Sequence, residues 1–499
     1  MSATERLRQP SATEPVAGAS ETVLGEFQAL VGGHWTNTGR LASIASPYDG
    51  SLVAVVHRAG PTEIEAALSA AVEAFETTRA LPSYARAEAL ERISAGIGER
   101  RDELARTIAL EAGKPLKTAR IEVDRAAFTF RVAAEESKRV YGEIVPLDWL
   151  PGNDGRVGHV RRVPLGPVAG ITPFNFPLNL VAHKVAPALA AGNTIVLRPA
   201  SQTPVTALKL GEIVLASGLP VGAFSVVPSS TDDAAPLVED DRIKLLSFTG
   251  SPAVGWSLRA RAGRKRVTLE LGGNAGVIVH RDADVEYAAE RIAWGGFTYS
   301  GQTCISVQRV FVHADVYDRF LESFLERVGA LRTGDPLDED TDVGPLIDAG
   351  SLERIREWID EALEDGADLL AGGTPEGAVW PPTVLGSPRE ELRVSCREAF
   401  APLVCLHRYE DVGEAIESVG RSEYGLQAGI FTRDLGVVER AADEIDVGGL
   451  IVNDVSTFRI DHMPYGGVKE SGSGREGLRY AIEEMTEMKL VAYNRNALG

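Results

Sequence analysis

Cysteine is scarce in this chain of 499 residues, which contains only Cys304, Cys396 and Cys405. Three thiols cannot all pair with one another, and their spacing matches no zinc-binding pattern. We therefore predict no metal site. Sparse cysteine of this kind is typical of a reduced, intracellular protein, so we expect a cytoplasmic location.

The chain also lacks any block of basic residues. Asp and Glu together number 71 and Lys and Arg 51, which gives a net charge of −20. Such an acidic surface repels nucleic acid and anionic lipid, so neither nucleic acid nor a membrane is expected as a partner. The N-terminus mixes charged residues with Ser, Ala and Pro and lacks the apolar core of a signal peptide. We predict a disordered tail over residues 1–25.

One uncharged stretch of twenty residues, 163–182, is long enough to span a bilayer. It contains Pro164, Pro167, Pro173 and Pro177, which exclude one continuous helix because each proline lacks a backbone donor. The stretch therefore predicts a buried strand, a loop and the start of a helix.

Short apolar runs alternate with helical stretches from about residue 160. This alternation predicts an α/β fold whose mostly parallel sheet is covered by helices on both faces. The first half has predicted strands at 168–172, 194–197, 224–227, 245–248 and 267–271, and helices at 178–191, 205–216 and 252–262. A second lobe has strands at 276–279, 309–312 and 403–407 and helices at 317–332 and 352–364. Residues 62–75 and 86–111 predict exposed amphipathic helices, and 374–382 predicts a loop.

Two local features suggest chemistry without establishing it. The run FTGSPAVG, from Phe248 to Gly255, follows a strand and opens a helix, as phosphate-binding turns do. It lacks the Lys-Ser/Thr of a P-loop, so a simple strand–helix turn explains it equally well. Cys304 lies 34 positions after Glu270, and both are flanked by glycines. A thiol and a carboxylate suit thioester formation and hydrolysis, but a lone buried cysteine is more often a core residue.

A set of ordered motifs is far more specific than either feature. The motifs are TPFNFP from Thr172, FTGSPAVG from Phe248, ELGGNAG from Glu270, GQTC ending at Cys304, EAFAP from Glu398, and PYGGVKESG from Pro464 followed by GREG from Gly474. In this order and at these separations they resemble the aldehyde dehydrogenase superfamily, over nearly the whole chain after residue 25. The resemblance implies a Rossmann-like cofactor domain (residues 26–141 and 161–275), an α/β catalytic domain (276–470) and a β bridging element (142–160 and 486–499). It also implies a homodimer or homotetramer.

The resemblance assigns catalytic roles to four residues. Cys304 matches the nucleophile, which attacks the aldehyde carbon, and Asn175 matches the amide that holds the resulting oxyanion. Glu270 matches the base that activates water against the thioester. Its apolar and glycine neighbours suggest a raised pKa, which suits a base. Lys184 matches a lysine linked to proton relay, although a solvated helix charge explains it almost as well.

Cofactor contacts carry over in the same way, and NAD or NADP is the implied cofactor. The matching positions are Thr172, Pro173, Phe174, Arg198, Ser201, Phe248, Gly250, Ser251, Gly255, Leu271, Gly272, Glu398 and Phe400. Two of them depart from the family pattern. Arg198 replaces a lysine, and Ser201 replaces the glutamate that selects NAD by repelling a 2′-phosphate. We therefore expect NADP to be tolerated.

The segment 453–467 resembles the lactaldehyde and phosphonoacetaldehyde dehydrogenase-like branch. By family geometry the substrate positions are Arg125, Asn179, His183, Thr303, Arg459, His462 and Tyr465. These polar groups predict a short polar aldehyde, either a hydroxyaldehyde or a semialdehyde, although Arg459 fits a structural ion pair with Asp461 or another carboxylate equally well. Thr303 stands where relatives that act on phosphorylated or phosphonate aldehydes can carry Arg, which disfavours such a substrate. An acylating, CoA-dependent dehydrogenase and a catalytically idle relative of the same fold remain alternatives.

Overall fold

The computed structural model describes residues 22–497. Its strands, in chain order, are β1 Gly25–Phe27, β2 Ala29–Val31, β3 His34–Thr36, β4 Leu41–Ala45, β5 Leu52–His57, β6 Glu143–Pro146, β7 Arg156–Pro164, β8 Val168–Ile171, β9 Ile195–Arg198, β10 Phe224–Val226, β11 Leu245–Thr249, β12 Arg266–Glu270, β13 Ala275–Val279, β14 Val307–His313, β15 Asp368–Ala371, β16 Thr383–Gly386, β17 Leu403–Tyr409, β18 Tyr424–Gly425, β19 Gln427–Phe431, β20 Gly449–Val452, β21 Val468–Lys469, β22 Gly472–Ser473 and β23 Thr486–Asn494.

The α-helices are α1 Pro61–Ala80, α2 Ser83–Glu99, α3 Arg101–Ala112, α4 Leu116–Ser137, α5 Asn179–Ala191, α6 Val205–Leu215, α7 Ala235–Glu239, α8 Pro252–Arg261, α9 Val285–Phe297, α10 Tyr317–Gly329, α11 Ala349–Glu364, α12 Arg393–Cys396, α13 Val412–Gly420, α14 Leu435–Glu444 and α15 Leu478–Glu484. Within residues 22–497, no helix has both the length and the hydropathy needed to cross a bilayer.

The first large sheet has eight strands in the order β22-β12-β11-β8-β9-β10-β2-β3. The five strands from β12 to β10 run parallel to one another, as the alternating pattern predicted. Alternate side chains of these strands enter two different cores, because strand residues point to opposite faces in turn. Val168, Ile195 and Leu197 pack with α2 to α6, whereas Ala169 and Val196 pack with α1, α7 and α8.

The second large sheet has seven strands in the order β15-β16-β17-β14-β13-β19-β20. All neighbouring pairs are parallel except β15 with β16. Val277 and Val279 pack towards α9 and α10, and Ile278 packs towards α13 and α14 on the other face. The carboxyl end of β12 in the first sheet leads directly into β13 of this one, so the polypeptide crosses between the sheets at Glu270 to Asn274.

A third, three-stranded sheet joins distant parts of the chain. β7 pairs antiparallel with both β6 and β23. Its pairing with β23 extends from Arg156 opposite Asn494 to Pro164 opposite Thr486. β7 therefore continues four residues beyond the predicted boundary at 160. The sheet carries exposed apolar side chains, including Ile144 at 70% and Leu490 at 55% exposure.

Two expectations about the N-terminal part need correction. The predicted helix 86–111 is two helices, α2 and α3, separated at Arg100, whose side chain forms ion pairs with Glu103 and Glu212. Gly96 and Gly98 in the last turn of α2 weaken the helix there. The end of α3 is buried rather than exposed, because Glu111 accepts hydrogen bonds from the amides of Val205 and Thr206 at the start of α6.

Other local predictions agree closely with the structure. Residues 163–182 contain the end of β7, β8, a loop and the start of α5, and 374–382 is irregular. The predicted tail at 1–25 lies mostly outside the described residues. Backbone hydrogen bonding begins before residue 25, the predicted end of the tail. The amides of Val23 and Leu24 donate to the carbonyls of Leu52 and Val53.

Candidate active site

Cys304 follows α9 through a turn whose backbone is held in an unusual conformation. Tyr299, Ser300 and Gly301 have φ values of 48°, 56° and 68°, in the left-handed region. For the two non-glycine residues this conformation costs about 1–3 kcal/mol each. Tyr299 Oη donates to the carbonyl of Ala112 at 3.0 Å, and Ser300 Oγ donates to Gly344 at 2.8 Å. A side chain at Gly301 would meet the carbonyl of Ala401 at 2.1 Å, so the turn is rigid and specific to glycine there.

The thiol of Cys304 lies in a small apolar cluster with Ile305, Leu426 and Tyr465. Its Sγ is 3.0 Å from Tyr465 Oη. Burial raises the pKa of the thiol to about 12. The Tyr465 hydrogen bond and the charge of Arg459 oppose this shift. Tyr465 was placed in the substrate set, and its contact with the thiol was not anticipated.

Asn175 lies in the loop between β8 and α5, where its Nδ2 donates to the carbonyl of Gln302 at 2.9 Å. The side-chain amide is therefore held two residues from Cys304. Glu122 anchors the end of this loop, because its Oε1 accepts from the amides of Leu178 and Asn179 at 2.9 and 3.1 Å. The other oxygen of Glu122 forms a buried ion pair with Lys114.

Glu270 ends β12, opposite Gly472 of β22. It is buried, and neither carboxylate oxygen has a hydrogen-bond partner among the described residues. Burial raises the pKa of Glu270 well above its ordinary value, and the nearby charge of Glu476 raises it further. A side chain built on Gly466 would lie 2.9 Å from Glu270 Oε1, so the carboxylate faces the loop that carries Tyr465.

Lys184 on α5 is fully buried and does not contact Cys304 directly. Its Nζ donates to Ser247 Oγ at 3.0 Å and lies 3.6 Å from Glu476 Oε1. The other oxygen of Glu476 accepts from Arg459 Nη2 at 2.8 Å. Burial lowers the pKa of Lys184, against the opposing charges of Glu476 and Glu270.

Glu476 is a site residue that the sequence reasoning missed. Burial opposes its ionisation, but His183, Lys184 and Arg459 lower the pKa of this carboxyl to about 2. It therefore stays charged and links Lys184 to Arg459. Its position inside the GREG motif was the available signal, but nothing in that local run reveals which distant cations it meets.

Asp461 is the second residue that was missed, and it organises much of the substrate set. Arg125 donates to both of its oxygens, through Nε at 3.0 Å and Nη2 at 2.7 Å. Asn179 Nδ2 and His183 Nε2 lie 3.0 and 2.9 Å from Asp461 Oδ1. Burial opposes the charge, but His183 and Arg125 hold the pKa of Asp461 well below its usual range. The ion pair of Arg459 is with Glu476 rather than Asp461.

A cavity of about 290 Å³ opens next to these groups. Arg125 and Arg459 both line it, together with Phe128 and Ile460. His462 is exposed beside it, packed edge-on against Phe128 with ring centroids 6.0 Å apart. Thr303 is buried, and its hydroxyl has no partner among the described residues. Two of the predicted substrate residues, Arg125 and Arg459, thus line this opening, beside Asp124 and Asp461.

The predicted cofactor residues lie along the carboxyl edge of the first parallel sheet. Thr172 to Phe174 follow β8, Arg198 ends β9, and Phe248 to Ser251 join β11 to α8. Several buried polar atoms along this edge have no hydrogen-bond partner among the described residues, namely Thr172 Oγ1, Arg198 Nε, Ser229 Oγ, Thr249 Oγ1 and Trp256 Nε1. Unpaired buried polar atoms are costly, so their concentration here fits a polar ligand such as a dinucleotide.

The turn from β11 to α8 is shaped for close approach. A Cβ at Gly255 would meet a terminal methyl group of Leu271, so a larger residue would require the Leu271 side chain to move. Ser251 and Pro252 start α8, which directs its first backbone amides to the sheet edge. On the far side, Glu398 Oε1 accepts from the amide of Gly273 at 3.0 Å, beside Gly272. Burial raises the pKa of Glu398 to about 7.

Phe400 has a φ of 48° and meets Phe174 edge-on, with ring centroids 5.8 Å apart. These rings connect the loop after β8 with the loop before β17. Arg198 donates through Nη2 to the carbonyl of Ser229 at 3.2 Å, and burial and the charge of Arg58 lower its pKa to about 10. Ser201 is exposed. A half-buried cation with an unpaired Nε, near an uncharged serine, fits an anionic group at this end of the sheet.

Comparisons with known proteins agree with this geometry. The sequence model of the aldehyde dehydrogenase family matches residues 35–491. 3-Sulfolactaldehyde dehydrogenase from Priestia aryabhattai is 44% identical over 479 residues, which cover 95% of this chain and 99% of that protein. Lactaldehyde dehydrogenase from Methanococcus aeolicus is 38% identical over 470 residues, covering 93% and 99%. The crystal structure of aldehyde dehydrogenase 21 from Physcomitrella patens, in complex with the reaction product succinate, superposes with a TM-score of 0.93 at 43% identity, covering 94% and 99%.

These likenesses confirm the expected fold and the resemblance to the lactaldehyde-like branch. The implied use of NAD or NADP is also confirmed for the family around this chain. With a match over more than nine-tenths of the sequence, the chain belongs to the aldehyde dehydrogenase family and is an NAD(P)-dependent aldehyde dehydrogenase.

Proposed function

We propose that this enzyme oxidises a short aldehyde bearing a hydroxyl or an anionic group to the corresponding carboxylic acid. The observation that carries this proposal is the pair of guanidinium groups, Arg125 and Arg459, that line one cavity. Arg459 connects this cavity to Cys304, because it lies over the ring of Tyr465, whose hydroxyl contacts the thiol. Arg125 uses Nε and Nη2 on Asp461, which leaves Nη1 for a ligand. Arg459 is buried, and its Nε has no partner among the described residues.

These spare donors argue against a fatty aldehyde. Leaving a buried donor beside an alkyl chain costs about 1–3 kcal/mol per group. A carboxylate, sulfonate or hydroxyl oxygen would accept from them instead, and hydrogen bonds from guanidinium to an anion are the stronger kind. The names of the relatives support this class, since they include a sulfolactaldehyde and a lactaldehyde dehydrogenase and a structure with bound succinate.

The catalytic residues act in two stages in this proposal. The Cys304 thiolate attacks the aldehyde carbon, and the carbonyl oxygen becomes an oxyanion held by Asn175 Nδ2 and the Cys304 amide. NAD(P), when bound, supplies the acceptor for the hydride that leaves this carbon. The product on Cys304 is a thioester. Glu270 then removes a proton from a water molecule, whose oxygen attacks the thioester and releases the acid and the thiolate.

Lys184 and Glu476 extend the path of the proton taken by Glu270. Glu270 and Glu476 lie close enough for each charge to affect the other, and Lys184 lies 3.6 Å from Glu476. Two buried carboxylates this close do not readily ionise together, so Glu270 is the group that gains a proton while Glu476 stays charged. Lys184 stabilises that charged state of Glu476.

Three alternatives are less well supported. Transfer of the acyl group to coenzyme A would not need a buried, unpaired base, which Glu270 is. A phosphonate or phosphorylated aldehyde carries two negative charges, and Thr303 offers only a hydroxyl where a further arginine would help. A catalytically idle relative would not need Cys304, Asn175 and Glu270 to lie together.

For the cofactor, we propose that NADP is accepted alongside NAD. Arg198 is half-buried with a buried, unpaired Nε, and Arg58 adds a second positive charge nearby. Ser201 brings no negative charge that would repel a 2′-phosphate. Residues Thr172, Phe248, Gly250, Ser251 and Gly255 would hold the rest of the dinucleotide, with Glu398, Phe400 and Leu271 at the nicotinamide end.

We also propose the predicted domain division and a homodimer or homotetramer. The three-stranded sheet of β6, β7 and β23 would carry the contact between subunits, because its exposed apolar side chains include Ile144, Met488 and Leu490. The three free thiols support a reducing, cytoplasmic compartment.

The substrate proposal is tested with Arg125→Ala and a matched control. Arg291 pairs with Asp454 at 2.7 Å and is 23% exposed, while Arg125 pairs with Asp461 at 2.7 Å and is 26% exposed. We expect kcat/KM of the wild type to be higher for lactaldehyde and succinic semialdehyde than for hexanal. Arg125→Ala should lower kcat/KM for the semialdehyde by about tenfold or more relative to hexanal, since the freed Asp461 also repels an anion.

Arg291→Ala should leave the ranking of aldehydes unchanged. Normalising every variant to hexanal removes any general loss of activity. If hexanal is the best substrate of the wild type, or if Arg125→Ala and Arg291→Ala behave alike, the polar substrate class is wrong.

A further inference from the structure

The hydroxyl of Tyr465 is positioned against the thiol of Cys304 more closely than a substrate-lining role requires. Tyr465 Oη and Cys304 Sγ are 3.0 Å apart, within hydrogen-bonding distance for a sulfur atom. Tyr465 is only 3% exposed, and its neighbours Ile305 and Leu426 offer no competing polar group. No other side chain among the described residues forms a hydrogen bond with this sulfur.

Two contacts hold the phenol in this position. The backbone of Tyr465 pairs with that of Glu476 in both directions, with distances of 3.1 and 2.6 Å. The guanidinium carbon of Arg459 lies 3.6 Å from the centre of the tyrosine ring, and Glu476 fixes Arg459 at 2.8 Å. The main chain and one face of the ring are thus both held by the Glu476 segment, so the hydroxyl cannot turn away without breaking this arrangement.

The direction of the hydrogen bond follows from the protonation state of the sulfur. A neutral thiol and a phenol can each donate to the other. A thiolate has no proton, so Tyr465 is then the donor and Sγ the acceptor. A hydrogen bond made to the charged form of a group favours that form.

We propose that Tyr465 is a catalytic residue whose hydroxyl donates to the Cys304 thiolate and stabilises it, and that Arg459 strengthens this donor through the ring face. The inference rests on the proposed role of Cys304 as nucleophile. Arg459 then has two proposed roles, which are to strengthen the Tyr465 donor and to contact an anionic substrate.

The electrostatics of the site are consistent with this assignment. Burial raises the pKa of the Cys304 thiol to about 12, and the Tyr465 hydrogen bond is the largest of the effects that lower it. Burial also raises the pKa of Tyr465, whereas the charge of Arg459 lowers it. Arg459 therefore makes the phenol a better hydrogen-bond donor. This hydrogen bond therefore favours the thiolate against the opposing effect of burial.

The test is the pH dependence of alkylation of Cys304 by iodoacetamide, followed by mass spectrometry of the intact protein without aldehyde or cofactor. Tyr465→Phe removes only the hydroxyl. Tyr409→Phe is the control, because Tyr409 is also buried and its hydroxyl also makes hydrogen bonds, with His280 at 3.0 Å and with the carbonyl of Val279 at 3.4 Å. Cys304→Ala identifies and subtracts any reaction at the other two thiols.

In Tyr465→Phe, we expect the midpoint for alkylation to rise by about one pH unit or more, because a charge-assisted hydrogen bond is lost. At pH 8 the rate should fall severalfold rather than fully tenfold, since a more basic thiolate is also more nucleophilic. The first turnover, followed by reduced cofactor, should slow by a similar factor. A purely structural role would leave the midpoint unchanged, as we expect for Tyr409→Phe.

An unchanged or lower midpoint in folded Tyr465→Phe overturns the proposal. If that variant does not fold, 4-aminophenylalanine at position 465 keeps the ring and supplies a weaker donor, and its midpoint should lie above that of the wild type. A midpoint equal to or below the wild-type value again refutes the role. Normal turnover of Cys304→Ala would instead overturn the nucleophile assignment, which separates the two failures.

Discussion

Cys304 and Cys405 differ in exposure and in surroundings, since Cys304 is half-buried and Cys405 is fully buried. Burial raises the pKa of each thiol to about 12. Cys304 Sγ meets a phenolic hydroxyl at 3.0 Å, whereas Cys405 Sγ donates weakly to the carbonyl of Val394 at 3.6 Å. A hydroxyl can donate to a thiolate, but a carbonyl can only accept, so Cys405 is held as a thiol. Partial exposure and a hydroxyl partner both fit the nucleophile proposed at Cys304, and Cys405 has neither.

The same contrast holds for two buried carboxyl groups, Glu270 and Glu111. Burial raises the pKa of both, to about 7 in the case of Glu111. Glu111 accepts from the amides of Val205 and Thr206 and caps α6. The oxygens of Glu270 have no partner among the described residues. The unpaired oxygens of Glu270 can accept a proton from a water molecule, whereas the oxygens of Glu111 already accept hydrogen bonds from α6.

Arg198, which is half-buried, and Arg309, which is buried, extend the contrast to the cofactor edge. Burial lowers the pKa of Arg198 and of Arg309 to about 10. Arg309 donates to the carbonyls of Ser418 and Asn274 at 2.8 and 3.0 Å. Arg198 makes one comparable bond, to Ser229 at 3.2 Å. The Nε of each arginine is unpaired among the described residues, but Arg309 donates from both Nη groups and joins parts of the second lobe, whereas Arg198 uses only Nη2.

The strongest test of the contrast replaces each thiol in turn. Cys304→Ala should lower aldehyde oxidation by about a thousandfold or more, because no covalent adduct can form. Cys405→Ala should keep near-normal turnover and lose about 1 kcal/mol of stability, through the small cavity left in the core. Steady-state assays measure the change in turnover, and thermal unfolding measures the change in stability. Calorimetric titration with NADP measures cofactor binding in each variant. Comparable activity in the two variants would remove the distinction between the thiols.

The next test compares the two carboxyl groups. Glu270→Gln should slow hydrolysis of the thioester by roughly a hundredfold, so rapid mixing should show about one equivalent of reduced cofactor per active site before turnover stalls. In the wild type, the deacylation rate should fall as pH decreases through the raised pKa of Glu270, because only the deprotonated base accepts a proton. That pH dependence should be absent in Glu270→Gln.

Glu111→Gln is the matched control, since it removes a buried carboxyl that caps a helix. It should show no burst and no change in the pH dependence of turnover. A burst in both variants would mean that slow hydrolysis is a general result of disturbing the fold. A wild-type steady-state rate in Glu270→Gln would exclude it as the base.

Elements whose signals are local could be predicted from the sequence. The parallel strands β8 to β12 and the helices α5, α6 and α8 follow from runs of apolar residues bounded by Gly and Pro, and their observed bounds lie within one residue of those expected. The prediction of one continuous helix over 86–111 was wrong, because the helix is interrupted at Arg100. Its break depends on glycines near the end of α2 and on the pairing of Arg100 with Glu212, far along the chain.

The partners of the site residues could not be predicted in this way. Arg125 and Asp461 are separated by 336 positions, and Cys304 and Tyr465 by 161. Arg459 was compatible with pairing to Asp461, its neighbour in sequence, yet it pairs with Glu476, because Asp461 faces Arg125, Asn179 and His183. Local sequence identifies which side chains can be charged, whereas the topology decides which of them meet.

The smallest expected effect concerns the two arginines and sharpens the contrast at the cofactor edge. If the unpaired donors of Arg198 serve a 2′-phosphate, Ser201→Glu should lower the ratio of kcat/KM for NADP to that for NAD by about tenfold, through charge repulsion. Ser201→Ala, which adds no charge, should leave the ratio nearly unchanged. Calorimetric Kd values for NADP and NAD separate binding from turnover. A wild-type enzyme inert with NADP, or a ratio unaffected by Ser201→Glu, would mean that Arg198 is structural, as Arg309 is.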